Sequence, residues 1–348
     1  MSAYILSTLM FGMGLGTTLT FASSHWLLAW MGIEMNTLAF IPLMARQHHP
    51  RAIEATTKYF LAQAAAAAML LFAALTNAWF TTQWDIQNDL NPIPATMIMC
   101  ALALKVGLAP FHTWLPEVLQ GLDLTTGLIL STWQKLAPFA LLFQIHPLHP
   151  HFATFIGVTS VVVGGWGGLN QTQLRKILAY SSIAHLGWMM IILQFSVPLT
   201  KLTLALYIMM TTAMFLMVKM TDSKTINSLS SAWTKAPAIA ALTPLILLSL
   251  GGLPPLTGFL PKWFILHELT KQSLTPLATT LAISALLSLY FYLRLSYAMA
   301  LTINPNSTAT TPPWRFPTPQ MNLPLAIATA MAISLLPMAP ALKTLSSF

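Results

Sequence analysis

The chain has 348 residues, of which 56% are hydrophobic and only 7% charged, with a net charge of +8. A soluble domain carries roughly 25% charged residues, so a water-soluble globular protein is excluded. The 24 Pro and 16 Gly follow no period, which excludes a collagen-like or low-complexity chain. What remains is a polytopic membrane protein.

A spanning helix needs roughly 20 apolar residues. Taken in chain order, about eleven stretches qualify: Tyr4–Ala22, His25–Met44, Glu54–Phe80, Ala95–Gln120, Thr125–Ile145, His151–Asn170, Leu174–Phe195, Lys201–Thr221, Pro237–Leu269, Leu274–Leu301 and Leu323–Leu342. Their unbroken apolar runs read as helices, since barrel strands alternate every second residue. The fold class expected is all-α. Loops are short, and only Thr302–Asn322 approaches a linker, made irregular by Asn306, Pro312, Pro313, Pro317 and Pro319. The first apolar run lacks a basic leader and is too long for a cleaved signal.

Charge sets the expected orientation. With the N-terminus inside, inside ends carry Arg46, Arg51, Arg175, Lys176, Lys219, Lys224, Lys235, Arg294 and Arg315, against Lys201, Lys271 and Lys343 outside. Asp85 and Asp89 also fall outside. The positive-inside rule therefore places the N-terminus on the positive-inside face and the C-terminus, after an odd number of spans, on the other. The net charge needs no nucleic acid: these are topology charges and contacts for anionic lipid. Cys100 is the single cysteine, so the chain forms no internal disulfide, CxxC pair or iron–sulfur site.

Two stretches repeat. Gly107–Pro116 reads GLAPFHTWLP and Gly252–Pro261 reads GLPPLTGFLP. Both interrupt long apolar segments, the fourth and ninth spans, which points to discontinuous helices in repeated halves. Five spans separate them, so the halves have inverted topology. The chain reads as a single domain, 1–348, with a first five-helix repeat at 1–147, a second at 148–301, and a loop and last helix at 302–348.

Four charges lie inside spans: Glu34, Lys105, Lys135 and Lys262. Each costs roughly 2.5–3.5 kcal/mol on insertion scales, large beside a stability of ~5–15 kcal/mol. A job explains them, and proton handling is the job these residue types suit. Burial disfavours a charged lysine and a nearby carboxylate favours it, so a lysine whose partner moves can bind and release a proton. Glu34 is the expected partner of Lys105, which precedes the first break. Lys135 lies in the middle of a span read as unbroken and is the expected central relay. Lys262 opens the second half-helix. His112 and His185 also lie within spans, and histidine titrates nearest neutral pH. Static readings stand beside these: a fixed Glu34–Lys105 pair, a snorkelling Lys262, a His112 bonded to a carbonyl freed by Pro116, and a His185 buried and satisfied between helices.

Other motifs carry less. Gly12, Gly14 and Gly16, and the GGWGG of Gly164–Gly168, follow no strand, so they indicate close helix packing rather than nucleotide binding. His146, His149 and His151 crowd one proline-rich loop without a fourth ligand. Asn306–Thr308 matches a glycosylation sequon.

Read together, KVGLAPFHTWLPE, STWQKLAP, LRKILAYSSIAHLGW and LGGLPPLTGFLPKW resemble, in order and along essentially the whole chain, the proton-conducting antiporter-like membrane subunits of respiratory complex I. The resemblance implies a proton-translocating membrane-arm subunit of an NADH:ubiquinone oxidoreductase, with no redox centre in this chain. FMN, iron–sulfur clusters and ubiquinone would lie elsewhere in the complex. It pairs Glu34 with Lys105, makes Lys135 the central relay, puts His185 on the hydrophilic axis and makes Lys262 the exit group. Partners would be other membrane-arm subunits and a phospholipid such as cardiolipin. The location implied is the mitochondrial inner membrane, with the N-terminus in the matrix and the C-terminus in the intermembrane space. Longer relatives carry three further helices in front. Two other readings share the fold: an independent cation/proton antiporter, disfavoured by the shortage of intramembrane carboxylates, and a scaffold subunit, which has little use for a lone mid-span lysine.

Overall fold

The computed structural model describes residues 2–86, 90–145, 150–234, 237–301 and 322–347. Asp89, His146, His149, Lys235, Arg315 and the Asn306 sequon lie outside them. The described chain is helical throughout, with no strand beyond two isolated bridges, His25 with Asp85 and Gln173 with Thr225. It divides into two compact units, Met1–Ser160 and Val161–Phe348.

Unit 1 begins with α1 (Ala3–Ala22), α2 (Trp26–Met44) and α3 (Pro50–Thr81). The starts of these helices are legible: Ser2, His25 and His49 each accept a backbone N–H at the N-cap, and Pro50 opens α3 where no N–H is needed. α1 and α2 pack closely. A Cβ on Gly16 would lie 2.6 Å from the Gly32 carbonyl oxygen, whereas Gly14 faces open space. Packing thus accounts for Gly16 of the glycine motif.

The predicted fourth span is two helices, α4 (Pro92–Val106) and α5 (Trp114–Gly121). The fifth is also two, α6 (Leu124–Ser131) and α7 (Trp133–Gln144), so its reading as an unbroken helix around Lys135 is corrected. At Thr132 both the N–H and the hydroxyl bond the Leu128 carbonyl, at 3.0 and 2.7 Å, and the backbone turns to φ −113°, ψ −69°. Pro138, inside α7, removes a further ladder bond. Lys135 therefore stands in the first turn of the second of two consecutive helices, rather than within one unbroken helix.

α8 (Pro150–Gly168) closes unit 1 and opens unit 2, which continues with α9 (Leu174–Leu193), α10 (Val197–Thr221), a short α11 (Ile226–Ser230), α12 (Pro237–Gly251), α13 (Phe259–Lys271), α14 (Thr275–Leu301), α15 (Asn322–Ser334) and α16 (Ala339–Ser347). α9 is the interior helix: its apolar window is 89% buried, against 22% for α1. α1 and α9 are equally apolar on average, and what marks α9 as interior is the buried polar set Ser181, Ser182 and His185 that it carries. Six described helices (α1, α2, α3, α9, α10 and α14) are each long and apolar enough to cross a membrane, and α15 with α16 forms a further pair bent by 65°. The predicted ninth span is divided between α12 and α13 as its Gly and Pro indicate.

Candidate functional site

Each principal break is made by a glycine and a proline. Gly107 and Gly252 adopt φ +83° and +81°, the left-handed conformation that ends a helix. The chain then folds back, so that Leu108 N–H reaches the Ala103 carbonyl at 2.9 Å and Leu253 N–H the Leu248 carbonyl at 3.3 Å. Next comes the proline. Pro110 has no N–H for the Val106 carbonyl, four residues back, and Pro255 has none for Gly251. Unpaired, such a carbonyl costs several kcal/mol in an apolar interior.

In both units a lysine takes the freed oxygen. Lys135 Nζ donates to Val106 O, and Lys262 Nζ donates to Gly251 O at 2.8 Å. The two lysines arrive by different routes. Lys135 comes from α7, the next predicted span, while Lys262 comes from α13, the other half of its own broken helix. In the register of the repeat Lys262 falls opposite Glu117, which instead accepts from the exposed Lys58 at 2.7 Å. The repetition lies in the backbone break rather than in the position of the cation. Gly252 is constrained twice, since a Cβ there would also meet the Lys262 side chain at 2.9 Å.

Around Lys135, unit 1 encloses a polar cavity lined by Asn36, Thr37, Tyr59, Gln63, Lys105 and Lys135 among others. Lys105 is buried, and its Nζ lies 4.0 Å from Glu34 Oε2. Thr37 Oγ1 donates to the same carboxylate oxygen at 2.9 Å. Gln134 Nε2 donates to Asn36 Oδ1 at 3.1 Å, Tyr59 O–H reaches Gln134 Oε1 at 3.4 Å, and Gln63 Nε2 reaches the Lys105 carbonyl at 3.4 Å. Glu34, Lys105 and Lys135 are thus brought to one cluster from α2, α4 and α7. The loop of the break is held by Ser160, whose Oγ accepts from Ala109 N–H at 2.9 Å, and by Trp114, whose Nε1 donates to Leu104 O at 3.1 Å. His112 lies half-buried on that loop and does not line the cavity.

Unit 2 has its own cavity, lined by His185, Thr203, Tyr207, Met210, Lys262 and Ile265 among others. The His185 ring lies 5.7 Å from that of Tyr207. His185 and Lys262 are therefore neighbours across one small polar space. Among the described residues no group of three metal-binding side chains is gathered.

The neutral polar residues Asn36, Gln63 and Gln134 are the part of the site that charge alone does not reveal. Their signal is an amide inside an apolar run, as in FLAQAAAAAM and STWQKLAP. Burying an amide without a partner costs roughly 1–3 kcal/mol by mutational data, so each implies another polar group nearby.

Residues 23–288 match the family model described as NADH:quinone oxidoreductase/Mrp antiporter, TM, and residues 289–343 match NADH dehydrogenase subunit 2 C-terminus. The chain is 66% identical to NADH-ubiquinone oxidoreductase chain 2 of Tetraodon nigroviridis, over 99% of each chain. Its fold is similar to a chain of respiratory complex I from Thermus thermophilus, with a TM-score of 0.86 and 27% identity over 98% of this chain and 81% of that one. A chain of the Mrp complex from Dietzia shares the fold with a TM-score of 0.85 at 16% identity, over 97% and 76%.

Proposed function

We propose, for a chain that belongs to the NADH:quinone oxidoreductase/Mrp antiporter transmembrane family, that buried lysines resting on proline-freed carbonyls carry protons through the membrane. The chain is a multi-pass, proton-translocating membrane subunit of NADH:ubiquinone oxidoreductase, respiratory complex I. It works within a multi-subunit membrane arm in the mitochondrial inner membrane. FMN, iron–sulfur clusters and ubiquinone belong, on this reading, to other parts of the complex.

One observation carries the proposal. Lys135 is 2% exposed, no carboxylate is among its cavity's lining residues, and its ammonium is held by a carbonyl. A scaffold gains nothing from such a residue. In the path we infer, Glu34 holds a proton on Lys105 by attraction. Moving the carboxylate away weakens that hold and favours transfer toward Lys135. His185 and Lys262 serve the same purpose in unit 2, and His112 serves from the loop of the first break. Quinone reduction elsewhere supplies the drive. At 100 mV one charge costs about 2.3 kcal/mol to move across, a load that a driven relay can meet.

The reading extends to topology. Eleven spans, arranged as inverted repeats with breaks in the fourth and ninth, place the N-terminus in the matrix and the C-terminus in the intermembrane space. The repeats run over 1–147 and 148–301, with 302–348 adding a last helix. Basic inside ends suit an anionic phospholipid such as cardiolipin.

Native electrophoresis of gently solubilised membranes tests the assignment. Peptides of this chain should migrate only with the large NADH-oxidising band; a separate band without that activity would indicate an independent antiporter. Within the complex, Glu34→Gln should lower NADH-driven proton uptake less than Lys135→Met does, because it removes the attraction on the buried Lys105 ammonium 4.0 Å away without removing a proton carrier. Complete loss of pumping in an assembled Glu34→Gln complex would mean that the carboxylate itself carries the proton.

A further inference from the structure

The bend between α15 and α16 has a cause outside its own helix. In an unbroken helix the Leu335 N–H would bond the Met331 carbonyl. Here the hydroxyl of Thr257, from the loop of the second break, is inserted between them. It donates to Met331 O at 3.0 Å and accepts from Leu335 N–H at 3.2 Å. Such an insertion is one of the few physical causes of a sharp kink. Pro337 adds to it, because it offers no N–H to the Ile333 carbonyl. Thr257 is 1% exposed, so its hydroxyl has no water to fall back on.

The bent segment grips α13 a second time. Leu335, Ala339 and Leu342 pack on Leu202, Leu206 and Leu260, together with Phe264. Lys343 Nζ lies 5.8 Å above the Phe264 ring. Leu260 and Phe264 are one turn apart on α13, and Lys262 stands between them, reaching the other way to Gly251 O. The C-terminal segment therefore holds the start of α13 through a hydrogen-bonded pin at Thr257 and an apolar clamp at Leu260 and Phe264. Both act within the first turns of the helix that carries the lysine.

We propose that Thr257 is a positioning residue for proton transfer at Lys262, fixing the start of α13 by locking the second helix break into the bend of the C-terminal helix. This rests on the reading that Lys262 carries protons. Thr257 touches no reacting atom, and its effect passes through the geometry of α13.

The test uses the whole complex in sealed membranes, reading NADH oxidation, protons moved per NADH and the pH profile of both. Thr257→Val keeps the shape and removes both hydrogen bonds. It should lower the proton yield per NADH and shift the pH profile, because both hydrogen bonds that fix the start of α13 are lost together. Thr257→Ser should restore most of both. A Thr257→Val complex that assembles with normal proton yield and pH profile overturns the proposal. If Thr257→Val does not assemble, Thr257→Cys decides, because it keeps the size and leaves only the weak hydrogen bonding of a thiol at the pin. A reduced yield in assembled Thr257→Cys supports the positioning role, and an unchanged one overturns it. Lys262→Met separates the premise: normal pumping there removes the reading of Lys262, whereas impaired pumping beside a normal Thr257→Val removes only the role of Thr257.

Discussion

Complexes carrying Lys135→Met are expected to assemble in normal amount and to translocate protons at least about tenfold more slowly, a modest fraction of the ~10²–10⁴-fold that a positioned proton-transfer group contributes. NADH oxidation should slow with it where the two are tightly coupled. Two effects on stability oppose each other. Methionine matches the length of the lysine stem and relieves a buried charge that costs roughly 2.5–3.5 kcal/mol, while the Val106 carbonyl loses its donor at a cost of ~1–3 kcal/mol. These nearly cancel, so the lesion is functional rather than structural. The measurement is proton uptake by sealed vesicles, normalised to complex quantified on a native gel. Normal uptake at normal abundance would remove Lys135 from the path.

Gly258→Ala should do the reverse: little complex forms, and what forms is short-lived. A Cβ at Gly258 would overlap the carbonyl oxygen of Ser249 and lie 2.6 Å from its carbon. Both are backbone atoms on α12, so no side chain can turn aside, and the two halves of the broken helix must part. Ordinary overpacking costs ~1–3 kcal/mol, and a forced separation of backbones exceeds that against a total stability of ~5–15 kcal/mol. Steady-state complex should fall at least about tenfold by native gel. Gly14→Ala, where the new methyl meets nothing within 4 Å, is the matched control and should leave abundance unchanged. Equal abundance in the two variants would show that the contact at Ser249 is not needed for assembly.

Much of this architecture is legible in the chain because its strongest signals are covalent. Pro110 and Pro255 cannot donate, and Gly107 and Gly252 can turn left-handed, so the breaks of the fourth and ninth predicted spans are visible from composition alone. The intramembrane charges Glu34, Lys105, Lys135 and Lys262 stand out for the same reason: their burial cost is too large to be accidental. The features that are not legible depend on tertiary partners. The interruption at Thr132 has neither Gly nor Pro at its point and rests on a hydroxyl competing for Leu128. The bend after Ser334 needs Thr257, which is 78 positions away. Likewise the amides of Asn36, Gln63 and Gln134 announce that a partner exists but not which one. Spacing does not place the cation of the first unit either, because the repeat-related position of Lys262 there holds Glu117 while the cation arrives from α7.

The way the two lysines are anchored has an electrical consequence. A carboxylate anchor couples place to charge, since the Coulombic part of its hold is lost when the amine becomes neutral and only a hydrogen bond is left. A backbone carbonyl is uncharged, and it accepts a hydrogen bond from an ammonium or from a neutral amine. Lys135 and Lys262 are therefore moored by atoms that do not discharge when the proton leaves. Their address is written by a proline ring and their occupancy by whatever acid or base lies next in line, so the two can be tuned by separate substitutions.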